Sequence, residues 1–156
     1  MEGKKICIIA PHPDDEIIGC SRLFMSKSVD TVLYISDGAT ILRLEELENF
    51  CCSLGVKNDF CSSDDLLKHL KKYKKYRIFV PSAKDHHPLH RKINGMTIGM
   101  SRGIYSIDMN TEYVKELSEE DKKIKLEWLN KYYPSQKSLW ENDWKYFMFE
   151  GTVLEI

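Results

Sequence analysis

Two kinds of pattern alternate along the first half of the chain: short unbroken apolar runs, and longer stretches in which apolar residues recur every three or four positions. The apolar runs, which predict strands buried on both faces, are residues 5–10, 31–35 and 77–80. The amphipathic stretches, which predict helices, are residues 16–28, about 42–54 and 64 to about 73. Because strands and helices alternate, the chain is predicted to have a Rossmann-like α/β fold, a mostly parallel sheet with helices on both faces.

The second half of the chain is predicted to be richer in β-strand. Residues 95–107 have an extended pattern, and residues 144–156 predict a hairpin that turns near Glu150-Gly151. One further helix is predicted at Glu119–Tyr132. No repeat, low-complexity tract or linker interrupts residues 1–156, so the chain is interpreted as a single domain.

Composition and charge argue against several classes of protein. Hydrophobic residues make up 42% of the chain, enough for a buried core, and 23 basic against 24 acidic residues give a formal charge of -1. A partner recruited by gross charge, such as nucleic acid or an anionic membrane, is therefore not expected. The apolar run near the N-terminus is too short for a signal peptide or a membrane span, and five cysteines without a CxxC pair favour reduced thiols. We expect a cytoplasmic protein.

Polar residues cluster directly after three of the predicted strands. These loops are 11–16 (PHPDDE), 36–38 (SDG) and 85–90 (DHHPLH), and the first and third contain four of the five histidines. In an open α/β sheet the loops beyond the carboxyl ends of the strands share one edge. Imidazole and carboxylate groups that meet there are suited to a catalytic zinc ion, which takes three protein ligands and leaves one position for water.

The adjacent residues Asp14 and Asp15 are expected to have different roles. Because successive side chains diverge, one can bind the metal while its neighbour faces water as a base. The alternative is structural: the PHPDDE segment begins a helix, with Asp14 or Asp15 as N-cap and Glu16 in the first turn. Capping accounts for one aspartate and leaves His12 and the histidines of residues 85–90 without explanation, so the pattern favours a metal site.

Several segments resemble, in the same order, the motifs of one protein family. Residues 10–16 (APHPDDE) resemble the AHPDDE signature, with one proline inserted, of the LmbE-like, or PIG-L, family of zinc-dependent N-acetyl-sugar deacetylases. The other similar segments are 36–38 (SDG, against TDG), 43–46 (RLEE, against RxxE) leading to 54–56 (LGV), 87–90 (HPLH, against HPDH), and Lys125 through 133–136 (YPSQ). The resemblance extends over nearly the whole chain.

The resemblance implies a function and a role for individual residues. The function is removal of the acetyl group from an N-acetylated amino sugar or sugar conjugate, with Zn²⁺ as cofactor and a small N-acetyl sugar as substrate. The implied residues are the metal ligands His12, Asp15 and His90, the general base Asp14, the carbonyl-polarising His87, and the substrate-binding Arg43 and Asp37. Asp37 alternatively only makes its turn, and Glu46 either contacts substrate or pairs with Arg43.

Three departures from the family pattern bear on the site. Leu89 replaces the acidic residue of HPDH, so a hydrogen bond to the metal-binding histidine has to come from another residue, such as Asp85. His86 either turns toward the metal or remains solvated. The chain is shorter than is usual in the family, and little helix-forming sequence lies between His90 and Gly95. We therefore expect an open, shallow cleft, unless a homo-oligomer supplies a further wall.

The residues leave one other function open, a metal hydrolase of a different substrate, and two further functions fit them less well. A metal hydrolase of a different amide or ester would use the same zinc chemistry, and a non-catalytic sugar-binding protein would keep the fold. The set formed by His12, Asp14, Asp15 and His90 argues against the non-catalytic protein. A nucleotide-binding Rossmann domain lacks support, because the first strand is followed by HPDDEIIG rather than by GxGxxG.

Overall fold

A computed structural model of the chain describes residues 3–155 and is built around a six-stranded sheet. The strands of the described residues are β1 (Ile6–Ala10), β2 (Val29–Ile35), β3 (Lys57–Cys61), β4 (Arg77–Pro81), β5 (Arg102–Tyr105), β6 (Lys115–Glu116), β7 (Phe149–Glu150) and β8 (Thr152–Leu154). The central sheet has the order β3-β2-β1-β4-β5-β8. Strands β1 to β5 are parallel, and β8 pairs antiparallel with β5. This confirms the predicted α/β architecture with a mostly parallel sheet.

Helices cover both faces of the central sheet. The α-helices of the described residues are α1 (Asp15–Met25), α2 (Ile41–Leu54), α3 (Leu66–His69), α4 (Pro88–Met96), α5 (Glu119–Tyr132), α6 (Lys137–Asn142) and α7 (Lys145–Met148). Side chains of α1, α2 and α5 form one core, and side chains of α3, α4 and the 3-10 turn Leu70–Tyr73 form the other. Strand β1 contributes Ile8 to the first core and Ile9 to the second, as its unbroken apolar run predicts.

Short elements complete the second half of the chain. Strands β6 and β7 form a separate two-stranded antiparallel sheet, and a 3-10 turn, Pro134–Gln136, connects α5 to α6. Within residues 3–155, no helix has the length and apolar character needed to cross a membrane.

Helix α4 occupies the start of the segment predicted to be extended, residues 95–107. The helix continues to Met96, and strand β5 covers only Arg102–Tyr105. The physical reason lies at the start of the helix, where the His87 side chain accepts the Leu89 N–H as an N-cap and Pro88 occupies the first turn. A helix begun in this way runs on through Gly95, so the extended prediction is wrong for its first residues.

The predicted C-terminal hairpin is also wrong, and with it the expectation of a β-rich second half. Residues 145–148 form α7, while β7 pairs with β6 and β8 pairs with β5. A Cβ at Gly151 would lie 2.8 Å from the Val114 side chain, so the glycine allows a close approach where the chain passes from the small sheet to the large one. Local alternation indicates a strand but does not select its partner, and the four helices α4 to α7 contain more residues of this half than its strands do.

The neighbouring strands β1 and β4 lie where the strand order reverses. From β1 the chain proceeds outward to β2 and β3, and from β4 it proceeds in the opposite direction to β5. The helices that follow these two strands, α1 and α4, pack on opposite faces of the sheet. Such a reversal opens a crevice beyond the carboxyl ends of the strands, where open α/β sheets bind their ligands. The loops before α1 and α4 border this crevice.

Candidate functional site

Three side chains predicted as metal ligands meet in the crevice between β1 and β4. His12 follows β1, Asp15 lies in the first turn of α1, and His90 lies in the first turn of α4. The His12 Nδ1 atom is 3.3 Å from His90 Nε2 and 3.4 Å from Asp15 Oδ2. The His90 Nε2 atom is 3.2 Å from the same Asp15 oxygen. The three atoms therefore form a nearly equilateral triangle.

The dimensions of this triangle match those of a metal site. The ligands of a tetrahedral ion with bonds of about 2.0–2.1 Å lie about 3.3–3.4 Å apart, which is the spacing of these three atoms. His87 adds a third imidazole: ring nitrogens of His12, His87 and His90 lie within 4.8 Å of one another. The ring centroids of His12 and His87 are 4.4 Å apart. The histidine cluster could thus hold a metal ion.

A buried carboxylate orients the ring of His90 from behind. Asp85 Oδ2 lies 3.3 Å from His90 Nδ1, and the Asp85 carboxylate also accepts the Ile107 and Asp108 backbone N–H groups, at 3.3 Å and 3.2 Å. A proton on Nδ1 that is donated to Asp85 leaves the lone pair of Nε2 directed into the triangle. Asp85 therefore provides a hydrogen bond to His90 that Leu89 cannot make.

His86 faces away from this cluster. Its Nδ1 lies 2.8 Å from Asp108 Oδ2, and its side chain is 86% exposed. Of the two alternatives considered for His86, the structure favours the solvated one.

The charges of the triangle stabilise one another. Burial alone would lower the pKa of His90, but the carboxylates of Asp15 and Asp85 outweigh it and raise that pKa to about 10. Burial likewise opposes ionisation of Asp15, but His90 and His12 hold the pKa of Asp15 well below its ordinary range. In the metal-free protein the centre therefore carries a proton on His90 beside an ionised Asp15, and a bound cation would replace that proton.

Asp14 has the environment of a proton acceptor rather than that of a helix cap. It stands at the N-cap position of α1 with left-handed backbone angles, φ 102° and ψ -27°, and its side chain makes no capping hydrogen bond. Such angles are strained for a residue with a Cβ. The residue is only 3% exposed, and burial, followed by the charges of Asp15 and Glu16, raises the pKa of Asp14 well above its ordinary range. A carboxylate of raised pKa is suited to accepting a proton near neutral pH.

His87 combines a structural contact with an exposed face. Its Nδ1 accepts the Leu89 N–H at 3.1 Å, so the neutral ring carries its proton on Nε2. Burial, together with the neighbouring His12 and His90, lowers the pKa of His87 and keeps the ring neutral near pH 7. If His87 Nε2 bound a metal, the proton would have to move to Nδ1 and the bond from Leu89 would be lost. The cap thus favours a ring that donates from Nε2.

The two predicted substrate-binding residues have different surroundings. Arg43 Nη2 donates to the Pro13 carbonyl oxygen at 3.0 Å, which places the guanidinium beside the Asp14 loop. The Arg43 Nε atom is buried and has no hydrogen-bond partner within the described chain. The Asp37 carboxylate instead accepts both the backbone N–H, at 2.9 Å, and the hydroxyl of Ser63. Asp37 thus joins the loops that follow β2 and β3, whereas Arg43 retains an unused donor.

Two residues behind the site were not identified by the sequence reasoning. The Tyr133 hydroxyl donates to the Glu16 carboxylate, and Ser135 donates to Glu46 through its hydroxyl and through its N–H, at 3.1 Å. Burial raises the pKa of Glu16 to about 8, although the bond from Tyr133 opposes this. Both donors belong to the YPSQ segment, and the signal available in the sequence was the resemblance of that segment to a family motif. No spacing pattern along the chain predicts that this segment contacts Glu16 or Glu46.

Comparison of the chain with protein-family models, with curated proteins and with solved structures found no match in any of the three. The resemblance to the LmbE-like family therefore remains a prediction. Arguments about function depend on the geometry of the centre itself.

Proposed function

We propose that the protein is a Rossmann-like, zinc-dependent hydrolase that removes the acetyl group from an N-acetylated amino sugar or sugar conjugate. The observation that carries the proposal is the triangle of His12 Nδ1, Asp15 Oδ2 and His90 Nε2, with sides of 3.2 to 3.4 Å. It lies in the crevice that open α/β sheets use for ligands, next to a buried carboxylate of raised pKa, Asp14. The motif resemblance supplies the class of substrate.

His12, Asp15 and His90 would hold the ion. Two imidazole nitrogens and one carboxylate oxygen form a ligand set that zinc accepts, and three protein ligands leave a fourth position open. A bound zinc ion would supply Lewis-acid chemistry, lowering the pKa of water and polarising a carbonyl oxygen. Asp85 would keep the Nε2 lone pair of His90 directed at the ion.

Asp14 would move the proton in the reaction. Its carboxylate accepts a proton from the water that attacks the acetamide carbon, and it then passes that proton to the amine nitrogen as the C–N bond breaks. The products are acetate and the free amino sugar. The raised pKa of Asp14 suits both halves of this task, because a carboxylate of ordinary pKa would bind the proton too weakly near pH 7.

His87 and Arg43 would act on the rest of the substrate. The Nε2–H of a neutral His87 donates to the carbonyl oxygen as negative charge develops on it. The guanidinium of Arg43, held beside Asp14 by its bond to the Pro13 carbonyl, would offer its remaining terminal N–H groups to a substrate oxygen, and sugar hydroxyls present such oxygens. Such contacts would hold the acetamide between the ligand triangle and Arg43.

Acetate release from a panel of N-acetylated hexosamines and their methyl glycosides, with zinc measured in the same samples, tests the proposal. We expect acetate from the zinc-loaded protein, loss of both zinc and activity in His90→Ala, and retention of both in the matched control His86→Ala. Hydrolysis of other amides or esters without any sugar turnover would favour the broader hydrolase. Sugar binding without turnover by the zinc-loaded protein would mean a non-catalytic role, and either result would overturn the deacetylase assignment.

A further inference from the structure

Helix α1, which carries Asp15 and begins at Asp14, is broken one turn after the site. Cys20 has non-helical angles, φ -137° and ψ 23°. In an unbroken α-helix the N–H of Arg22 would donate to the carbonyl oxygen of Ile18, four residues earlier. Here the Arg22 N–H donates to Glu150 Oε1 at 3.0 Å, and the Ile18 carbonyl accepts from Lys125 Nζ. Both groups that this helical bond would join thus have side-chain partners from outside the helix.

The two side chains that enter the helix form a buried ion pair. Lys125 Nζ lies 3.0 Å from Glu150 Oε2, and both residues are buried. The three N–H donors of the ammonium group reach the Ile18 carbonyl, the Phe149 carbonyl at 3.1 Å and Glu150. Ser21 Oγ also donates to Glu150 Oε2. The pair is therefore fully hydrogen-bonded, and most of its bonds hold the two sides of the bend in α1.

The segment of α1 ahead of the bend is also held against the sheet. A Cβ at Gly19 would lie 2.2 Å from Cδ2 of Tyr105, so the helix backbone rests directly on that ring. The Tyr105 hydroxyl donates to the Ile9 carbonyl at 2.6 Å, close to the end of β1. The direction of the helix axis ahead of Cys20 is therefore set by the contact with Tyr105 on one side and by the ion pair on the other. Inserted side chains of this kind are a recognised cause of helix kinks.

We propose that Lys125 and Glu150 are positioning residues that set the bend of α1 and so direct Asp14 and Asp15 toward His90. The inference deepens the proposed function and rests on it through the metal ligands. A purely stabilising role would not require an ion pair, because apolar residues of similar volume in place of a buried pair are often neutral or stabilising. In an unbroken α1 the residues ahead of Cys20 would follow the direction of the residues after it. Asp15 would then turn away from His90, and the ligand triangle would open.

The test is the double variant Lys125→Met with Glu150→Leu, which removes both charges and keeps apolar volume. We expect its melting temperature to stay near that of the original protein, while zinc affinity, measured by chelator competition, falls at least about tenfold. The visible absorption of bound Co²⁺ should change as well, since that spectrum reports ligand geometry. The matched control is Lys122→Met with Glu116→Leu. Lys122 lies in the same helix, but it forms ion pairs with Glu116 and Glu119 and not with α1. Zinc affinity and the Co²⁺ spectrum of this control should match those of the original protein.

Unchanged zinc affinity and an unchanged cobalt spectrum in the double variant would overturn the inference. A second variant, Lys125→Met with Glu150→Gln, guards against failure to fold, because it leaves no buried charge and retains an acceptor for the Arg22 N–H. It should lose zinc affinity to a smaller extent, and zinc affinity equal to that of the original protein would count against the proposal.

Failure of the proposed function would look different, because the original protein would then bind no metal or release no acetate. A crystal structure of the double variant decides the positioning role even in that case. We expect the Arg22 N–H to bond the Ile18 carbonyl and Asp15 to move away from His90. A retained bend with the distance between Asp15 Oδ2 and His90 Nε2 still near 3.2 Å would refute the role.

Discussion

The Asp85 carboxylate lies behind His90, with Oδ2 3.3 Å from Nδ1 of the imidazole. The same carboxylate accepts two backbone N–H groups from the loop after β5, so it is itself held in place. One buried side chain thereby connects the loops after β4 and β5 and sets the orientation of a candidate metal ligand. Its neighbour Asp108 contacts His86 instead, which makes the two aspartates a natural pair for comparison.

We expect Asp85→Asn to weaken zinc binding about 10-fold to 100-fold, because an amide in this position no longer provides the anionic acceptor that holds the Nδ1 proton. Asp108→Asn, which alters the partner of the exposed His86, should bind zinc as the original protein does. Chelator competition on both variants provides the comparison. Equal affinities in the two variants would show that the Asp85 carboxylate does not support the metal ligand.

Asp14→Asn and Asp15→Asn should separate chemistry from metal binding. The first keeps the shape of the side chain and removes the proton acceptor, so zinc should remain bound while kcat falls by about 10² or more. The second replaces an anionic corner of the ligand triangle and should release zinc. Metal content by atomic emission and acetate release, measured on the same preparations, resolve the two effects. If zinc were lost only from Asp14→Asn, the roles of the two aspartates would be reversed.

Zinc binding should release about one proton at pH 7.5. The pKa of His90 is raised to about 10 in the metal-free protein, so an ion that takes the Nε2 lone pair must displace a proton. Affinity should then rise about tenfold per pH unit above pH 7 until the pKa of His90 is approached. Calorimetry in two buffers of different ionisation enthalpy counts the proton. Affinity that is constant from pH 7 to pH 9 would contradict the raised pKa.

The raised pKa of His90 also makes the stability of the metal-free protein depend on pH. That stability should fall as the pH rises, whereas zinc affinity should increase. A histidine whose folded pKa exceeds its ordinary value of about 6.5 stabilises the fold fully below that pH, and the contribution disappears as the pH rises toward about 10. The melting temperature of the metal-free protein should therefore fall between pH 7 and pH 10. His90→Ala should lose the part of this decline that His90 causes. An equally steep decline in the variant would assign it to other groups.

Gly19→Ala should destabilise the protein by about 1–3 kcal/mol, because the added methyl group overlaps the ring of Tyr105. Gly95 in α4 is the matched control: a Cβ there meets nothing within 4 Å, so Gly95→Ala should be neutral or stabilise the fold by up to about 1 kcal/mol. Urea unfolding of both variants measures the difference. Equal stabilities would mean that the contact between α1 and Tyr105 yields without cost.

The sequence was sufficient to predict a mostly parallel sheet and the approach of the two histidine-bearing loops for one physical reason, whereas the choice of His12, Asp15 and His90 as ligands came from the family resemblance. The carboxyl ends of parallel strands share an edge, so polar loops at 11–16 and 85–90 had to approach each other. The sequence was not sufficient to predict the pairing of β8 with β5 or the contacts of Lys125 with the bend in α1. Those depend on tertiary partners that no local period encodes, and Lys125 occurs in an ordinary amphipathic helix pattern.

The separation of the candidate ligands along the chain has a consequence for how the protein acquires its site. His12 and His90 are 78 residues apart, and β1 and β4, the strands that precede them, become neighbours only when the chain closes that interval. Closing so long a loop costs entropy that local contacts cannot offset, and pairings of this kind slow folding. Neither half of the sheet can assemble the triangle alone, so metal competence should appear only when β1 and β4 have paired. Bound metal would then link the two halves of the sheet at the place where β1 and β4 pair.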